Sequence, residues 1–205
     1  MVFSSIEFLF YFLPVVLAGY YILKRWRRAA NVFLSVMSLG FYAFGAPKFF
    51  LVMMASIVMN WLFGLWVDRV RGDRARSKLA LTLMVIFNLG ILGIFKYLMF
   101  IMNSLNLWFR LRLPVPQITL PIGISFFTFQ AMSYVIDVYR GHGKVQRNLI
   151  NVCLYISFFP QLIAGPIVRY QTVGPAISWG KKDMYRQTLI RFFCTLPLPR
   201  YTSIT

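Results

Sequence analysis

Acidic side chains are nearly missing from this sequence, with 5 Asp and Glu among 205 residues. Glu7, Asp68, Asp73, Asp137 and Asp183 stand at the ends of apolar runs or in loops, and no two are spaced to form the paired carboxylates of a general acid/base site. Histidine occurs once, as His142 in the flexible basic turn Arg140-Gly141-His142-Gly143-Lys144, and reads as a loop residue rather than a base. Two cysteines, Cys153 and Cys194, exclude a disulfide framework and fit no zinc-ligand spacing, so both read as small hydrophobes and no metal is expected. The amino-terminus lacks the basic stretch that opens a secretory signal, so the first apolar run reads as an uncleaved span. Charged residues reach only 13% of the chain, against about 25% in soluble domains.

Apolar and aromatic residues fill that space. The hydrophobic fraction is 59%, above the roughly 45–50% of soluble proteins, and Phe, Tyr and Trp contribute 18%. The fold class implied is all-α, a polytopic integral membrane helical bundle. A net charge of +17 invites a nucleic-acid reading. The placement argues against it, because the cations gather in short clusters between apolar runs, as in loops facing anionic headgroups.

A span needs about 20 apolar residues. Phe8 to Leu23 is uncharged and closed by the basic cluster Lys24–Arg28, with Pro14 able to kink it. Ala29 to Pro47 and Phe49 to Val67 flank Lys48 and read as a tight helical hairpin. The run Leu79 to Phe109 holds only Lys96 as a charge, and a span of about Leu79 to Ile101 is expected from it. A further helix should begin near Pro121 and close at Arg140-Gly141. The run from Asn148 to Val168 is broken by Pro160 and by Gly165-Pro166, so it either crosses or dips in and returns. That makes five to six membrane segments.

An outside amino-terminus puts twelve basic residues, from Lys24–Arg28, Arg69–Lys78 and Arg140–Arg147, on the cytoplasmic side. Only Lys48, Arg110 and Arg112 then face outward, a strong bias for the positive-inside rule, and a basic tail favours the dip-and-return reading of 148–168. Asp137 and Arg140, three apart on one helix, are spaced to pair at its end. Lys96 reads as a snorkelling residue near a helix end. Gly40, Gly64, Gly90 and Gly93 suit close helix contact. In Phe158-Phe159-Pro160-Gln161-Leu162-Ile163-Ala164-Gly165-Pro166-Ile167-Val168-Arg169-Tyr170, proline frees a carbonyl, glutamine brings an amide and Arg169 a cation to an apolar setting. Such a break either ends a helix or lines a watery cavity.

This stretch, together with LPIGISFFTFQAMSYVIDVYRG at 120–141, FKYLMF at 95–100 and VFSSIEFLFYFLPVVLAGYY at 2–21, resembles the membrane-bound O-acyltransferase family, in its bacterial alginate O-acetylation branch. The likeness runs from residue 2 to about 193, so 1–193 is expected to be the amino-terminal part of that membrane domain. It implies an inner-membrane enzyme that takes an acyl group from a cytoplasmic thioester, acyl-CoA or an acyl carrier, and passes it through a channel to a polysaccharide hydroxyl. No bound cofactor is implied. Partners implied are the lipid bilayer, periplasmic acetylation proteins and the exopolysaccharide, and not nucleic acid. The family's catalytic histidine belongs to the later half of full-length members, and His142 does not match it. No catalytic residue is therefore assigned here, and a chain without that region is expected to be inactive alone. Pro160, Gln161, Gly165, Pro166 and Arg169 are the candidates for framing the substrate channel. Residues 194–205 depart from the family pattern, with Pro197 and Pro199 where glycine and lysine are usual, as a frameshift or premature stop would produce.

Two other readings stay open. Broken helices and an intramembrane lysine also occur in transporters and channels, although no internal repeat supports that class here. A non-catalytic membrane scaffold would recruit partners without turnover. All three place the chain in lipid, so it should stay in the membrane pellet through an alkaline carbonate wash and leave only with detergent. Release into the wash would exclude every one of them.

Overall fold

A computed structural model of the protein describes residues 8–23, 25–109, 123–158, 170–171 and 174. Within them the regular structure is helical throughout. After a π-helical turn at Phe8–Phe12 come α1 (Leu13–Leu23), α2 (Arg27–Gly45), a 3-10 turn (Pro47–Phe49), α3 (Phe50–Arg69), α4 (Arg74–Phe109), α5 (Ile124–Tyr139) and α6 (Leu149–Ser157). The π-helical turn lies just before Pro14, whose ring would clash with the carbonyl four residues back in a regular helix. Widening the turn there accommodates the proline.

α3 occupies the middle of the bundle, packed on α5, α4 and α6, while α2 joins α1 to α6. Two segments, Pro47–Arg69 and Arg74–Trp108, are long and apolar enough to cross a membrane, and only 33% and 22% of their apolar windows are buried. A core helix of a soluble protein would be mostly covered, whereas these turn apolar side chains such as Leu51, Leu79, Ile86 and Phe100 outward. That surface suits lipid, and it makes this an all-α membrane protein.

The expected hairpin is present, with the 3-10 turn at Pro47–Phe49 between α2 and α3. The helix that carries the expected span of Leu79 to Ile101 extends beyond it. α4 runs unbroken through 36 residues to Phe109, a rise of about 54 Å, because no proline interrupts that run and its Leu, Met and Phe residues favour helix. Phe95 touches Phe49 of the α2–α3 turn, with ring centroids 6.1 Å apart. It lies about 32 Å along the helix from Arg74, roughly one hydrocarbon thickness. Lys96 is thus beside the far end of α3, exposed, with its Nζ 5.5 Å from the Tyr97 ring centroid, as a snorkelling lysine would be. α5 begins at Ile124 behind Gly123, whose φ of 75° is left-handed, and Pro121 lies outside the described residues. α6 covers 9 residues, about 14 Å, and whether the chain crosses or returns beyond it also lies outside them.

α3 and α4 are joined at membrane depth by a reciprocal amide pair. Asn60 Nδ2 donates to Asn88 Oδ1 at 3.0 Å, and Asn88 Nδ2 donates back to Asn60 Oδ1 at 2.8 Å. Each amide also donates within its own helix, Asn60 to the Ser56 carbonyl at 2.8 Å and Asn88 to the Met84 carbonyl at 2.9 Å. Both residues are fully buried.

Of the four glycines expected at helix contacts, only Gly64 is at one among the described residues. A Cβ there would come within 2.7 Å of the Tyr134 ring, whereas Gly40, Gly90 and Gly93 have no atom within 4 Å of that position. Those three face outward from the described helices, so helix-crossing chemistry has no hold on them. Asn60→Leu should cost about 1–2 kcal/mol by stranding Asn88, and the double change with Asn88→Leu should recover much of it. Unfolding of the reconstituted chain in a mixed-micelle titration measures both.

Candidate functional site

Nine residues between α5 and α6 hold the most densely bonded polar structure of the described chain. α5 ends at Tyr139, and the peptide N–H groups of His142 and Gly143 turn back to donate to the Asp137 carbonyl at 3.0 and 3.1 Å. Gly141, at a φ of 77°, makes the reversal that an L side chain would resist. The turn then reaches Gln146, which is buried and engaged in three directions. Its peptide N–H donates to Tyr134 Oη at 3.2 Å, its carbonyl accepts from Trp61 Nε1 at 2.9 Å, and its side-chain Oε1 accepts from Asn151 Nδ2 at 3.2 Å. Asn151 Oδ1 accepts in turn from Asn31 Nδ2 at 3.2 Å, and Ser35 Oγ donates to the Ile150 carbonyl at 3.3 Å. One glutamine thereby ties α3, α5 and α6 together, and α2 joins through α6. Asn148 caps α6, its Oδ1 accepting from the Ile150 N–H at 3.0 Å.

Tyr170, last residue of the interrupted motif at 158–170, enters this turn from outside. Its ring is 1% exposed and meets Tyr134 and Tyr155 edge-on, with centroids 4.8 and 5.2 Å away. Its hydroxyl donates to the Lys144 carbonyl at 3.0 Å, and burial pushes the phenol up to about 12, so it remains a neutral donor at physiological pH. Next along the chain, the Gln171 N–H donates to Asp137 Oδ2 at 2.9 Å. Room for the ring is made by glycine, since a Cβ on Gly143 or on Gly174 would come within 2.7 Å of it.

Asp137 therefore does not pair with Arg140 as their spacing suggested. Its side chain turns inward and is buried, with the Gln171 peptide as its partner, while Arg140 stays exposed. The ion pairs among the described residues are Asp68–Arg71 at 4.0 Å and Asp73–Arg76 at 3.1 Å. His142 is exposed on the turn, where its backbone rather than its ring makes the contact. Cys153 is a buried free thiol beside Ser157, as a small core residue would be. Cys194 lies outside the described residues.

Pro160, Gln161, Gly165, Pro166 and Arg169, the candidates for the channel frame, lie outside the described residues too. What is described is the anchorage of the motif's end, through Tyr170 and Gln171, on the α5–α6 turn. Sequence reasoning missed Trp61, Tyr134 and Gln146, the residues that build this anchor. Tyr134 carried a faint signal, three residues before Asp137 on an apolar helix. Gln146, between two charged or apolar neighbours in a loop, carried none. Chemically the arrangement is a hydrogen-bonded support that holds Tyr170 and Gln171, at the end of the 158–170 motif, on the α5–α6 turn.

The three turns that carry most of the cations share one end of the bundle. Arg71 Nη2 donates to the Val138 carbonyl at 2.7 Å, bringing the α3–α4 turn to the end of α5. Asn31, near the start of α2, meets Asn151 at the start of α6. The far end has Lys48, in the turn that Phe95 contacts.

Comparison with known proteins gives matches along most of the chain. It is 42% identical over 175 residues to "Probable alginate O-acetylase AlgI" of Pseudomonas aeruginosa, covering 83% of this chain and 33% of that protein. The protein of the same description from Azotobacter vinelandii is 40% identical, over 83% of this chain and 35% of its own length. The "Peptidoglycan O-acetyltransferase" of Helicobacter pylori is 32% identical, over 90% of this chain and 40% of its own length. The chain thus spans about a third of the length of the curated relatives it matches. No family profile matches it, and no solved structure does.

Tyr170→Phe removes one hydrogen bond and should cost about 1 kcal/mol. Gly143→Ala should cost more, about 1–3 kcal/mol, by pushing a methyl group into the same ring. Gly90→Ala, facing open space, should be neutral or slightly stabilising. Unfolding titrations of the three variants check the order.

Proposed function

This chain belongs to the alginate O-acetylase family of membrane O-acyltransferases, and from that membership we propose that it forms the channel-framing part of an enzyme that acetylates a polysaccharide. The acyl donor is a cytoplasmic thioester, acyl-CoA or an acyl carrier. The acceptor is a hydroxyl on a polysaccharide outside the cell, reached directly or by way of periplasmic acetylation proteins. The chain resides in the bacterial inner membrane, with its amino-terminus in the periplasm and the three basic turns in the cytoplasm.

The observation that carries this reading is the anchoring of the 158–170 segment. Broken helix at membrane depth is tolerated where it is buried in protein or lines a water-filled cavity. Tyr170 and Gln171 fix one end of the segment to a turn that four helices brace. Pro160, Gln161, Gly165, Pro166 and Arg169 belong to that segment and are the residues proposed to frame the acyl path. The base that deprotonates the acceptor is supplied from outside this chain, since its one histidine is in an exposed turn. General-base catalysis of this kind is worth typically about 10²–10⁴-fold. Two features support an acyltransferase over a transporter. Relatives named as O-acetyltransferases align along most of the chain, and no internal repeat is visible in it.

The test is a chimera in which the matching residues replace the equivalent third of the Pseudomonas aeruginosa relative, in cells lacking that gene. Alginate O-acetylation should be restored, and Asp137→Ala in the chimera should reduce it at least 10-fold while membrane levels hold. A chimera that folds, reaches the membrane and acetylates nothing would count against the reading. Full activity with Asp137→Ala would remove the anchor from it.

A further inference from the structure

The α3–α4 and α5–α6 turns lie far apart in sequence and are strapped together in space. The strap is the Arg71 guanidinium on the Val138 carbonyl, 2.7 Å away, and it passes so close to Gly141 that a Cβ there would meet Arg71 Nη2 at 3.5 Å. Around it the two turns expose Arg69, Arg74 and Lys78 on one side and Arg140, Lys144 and Arg147 on the other. The acids of this surface are already engaged, Asp68 with Arg71 and Asp73 with Arg76, and Asp137 is turned inward onto the Gln171 peptide. Asp73 also closes the start of α4, its Oδ1 accepting from the Ala75 and Arg76 N–H groups at 3.0 and 3.2 Å. What remains facing outward is a continuous basic surface made by two loops.

The positive-inside rule explains why each loop is basic, but it does not require two loops to be joined into one surface. We propose that this joint surface is a binding site for anionic phospholipid headgroups, which bridge the α3–α4 turn to the α5–α6 turn. The choice of a lipid over an acidic protein rests on what lies one turn deeper. There α3 exposes Leu62 and Trp66 and α4 exposes Leu79 and Leu83, at 46%, 39%, 55% and 40%. A phospholipid offers both matching halves at this spacing, phosphate to the cations and acyl chain to the apolar residues beneath. A soluble acidic polypeptide offers only the first. A diphosphate headgroup carries two phosphates, one to offer to each turn, and the Arg71 strap holds the two turns side by side to receive them.

The whole chain, purified in a neutral detergent, is titrated with cardiolipin, with phosphatidylcholine and with inorganic phosphate, and lipid retention is read by native mass spectrometry. Cardiolipin should bind at least 10-fold more tightly than phosphatidylcholine, and millimolar phosphate should not displace it. The pair R74Q/K78Q and the pair R140Q/K144Q should each weaken cardiolipin binding several-fold. All four together should weaken it at least 10-fold, while Lys48→Gln at the opposite end leaves it unchanged. Circular dichroism of each variant confirms that helix content is kept. Cardiolipin binding that survives the fourfold change, or that is lost entirely through one turn alone, overturns the bridging site. So does displacement by phosphate, or by poly-glutamate at an equal concentration of charge, which would place the affinity in a free anion or an acidic protein.

Discussion

Lipid offers no hydrogen-bond partner, so each polar group that this bundle carries into the membrane must be answered by the protein itself. The Asn60–Asn88 pair is the clearest expression of that constraint. Two amides, each costly alone in hydrocarbon, satisfy one another across α3 and α4 and return their second N–H to their own helices. The pair fixes the register of the two longest apolar segments. That register in turn brings Phe95 to Phe49 at one end and leaves Arg71 within reach of α5 at the other. Ser38, Tyr42 and Thr128 are the exceptions, buried hydroxyls without a partner among the described residues, around the contact of the Tyr42 and Phe127 rings.

The same constraint shapes the basic end. A turn of nine residues carries many backbone donors and acceptors, and here Trp61 and Tyr134 take up the carbonyl and N–H of Gln146, while Asn151 holds its side chain. Because the turn is already rigid, it can hold something else. Tyr170 and Gln171 use it as a fixed point, so the end of the 158–170 motif is held by two hydrogen bonds and two edge-on ring contacts.

Much of the fold was legible in the sequence, because its signals there are additive. Long uncharged runs mark helices whatever their neighbours are, and the α2–α3 hairpin follows from two such runs around Gly45-Ala46-Pro47. α4 outlasts the expected span because hydropathy measures what lipid would accept, while a helix stops only for a proline, a cap or a competing bond, and Leu79 to Phe109 has no such proline. Glycine spacing misled. A glycine permits close approach without causing it, so among the described residues Gly64 meets Tyr134 and Gly90 meets nothing. The motif at 158–170 was visible as a break in an apolar run. Its anchor was not, since Asp137 could be matched to Arg140 by helical spacing, and only the packed turn shows the Gln171 peptide as its partner.

Whether the three basic turns share one face of the membrane is the claim on which the anchor, the channel frame and the lipid site all stand. Cysteines placed singly for Arg28, Arg74, Lys144 and Lys48, in a chain with Cys153 and Cys194 changed to alanine, can be probed in intact cells with a membrane-impermeant maleimide. The account expects label only on the Lys48→Cys chain until the cells are opened, when the other three react. Labelling of any one of those three in intact cells, with the others protected, would contradict it.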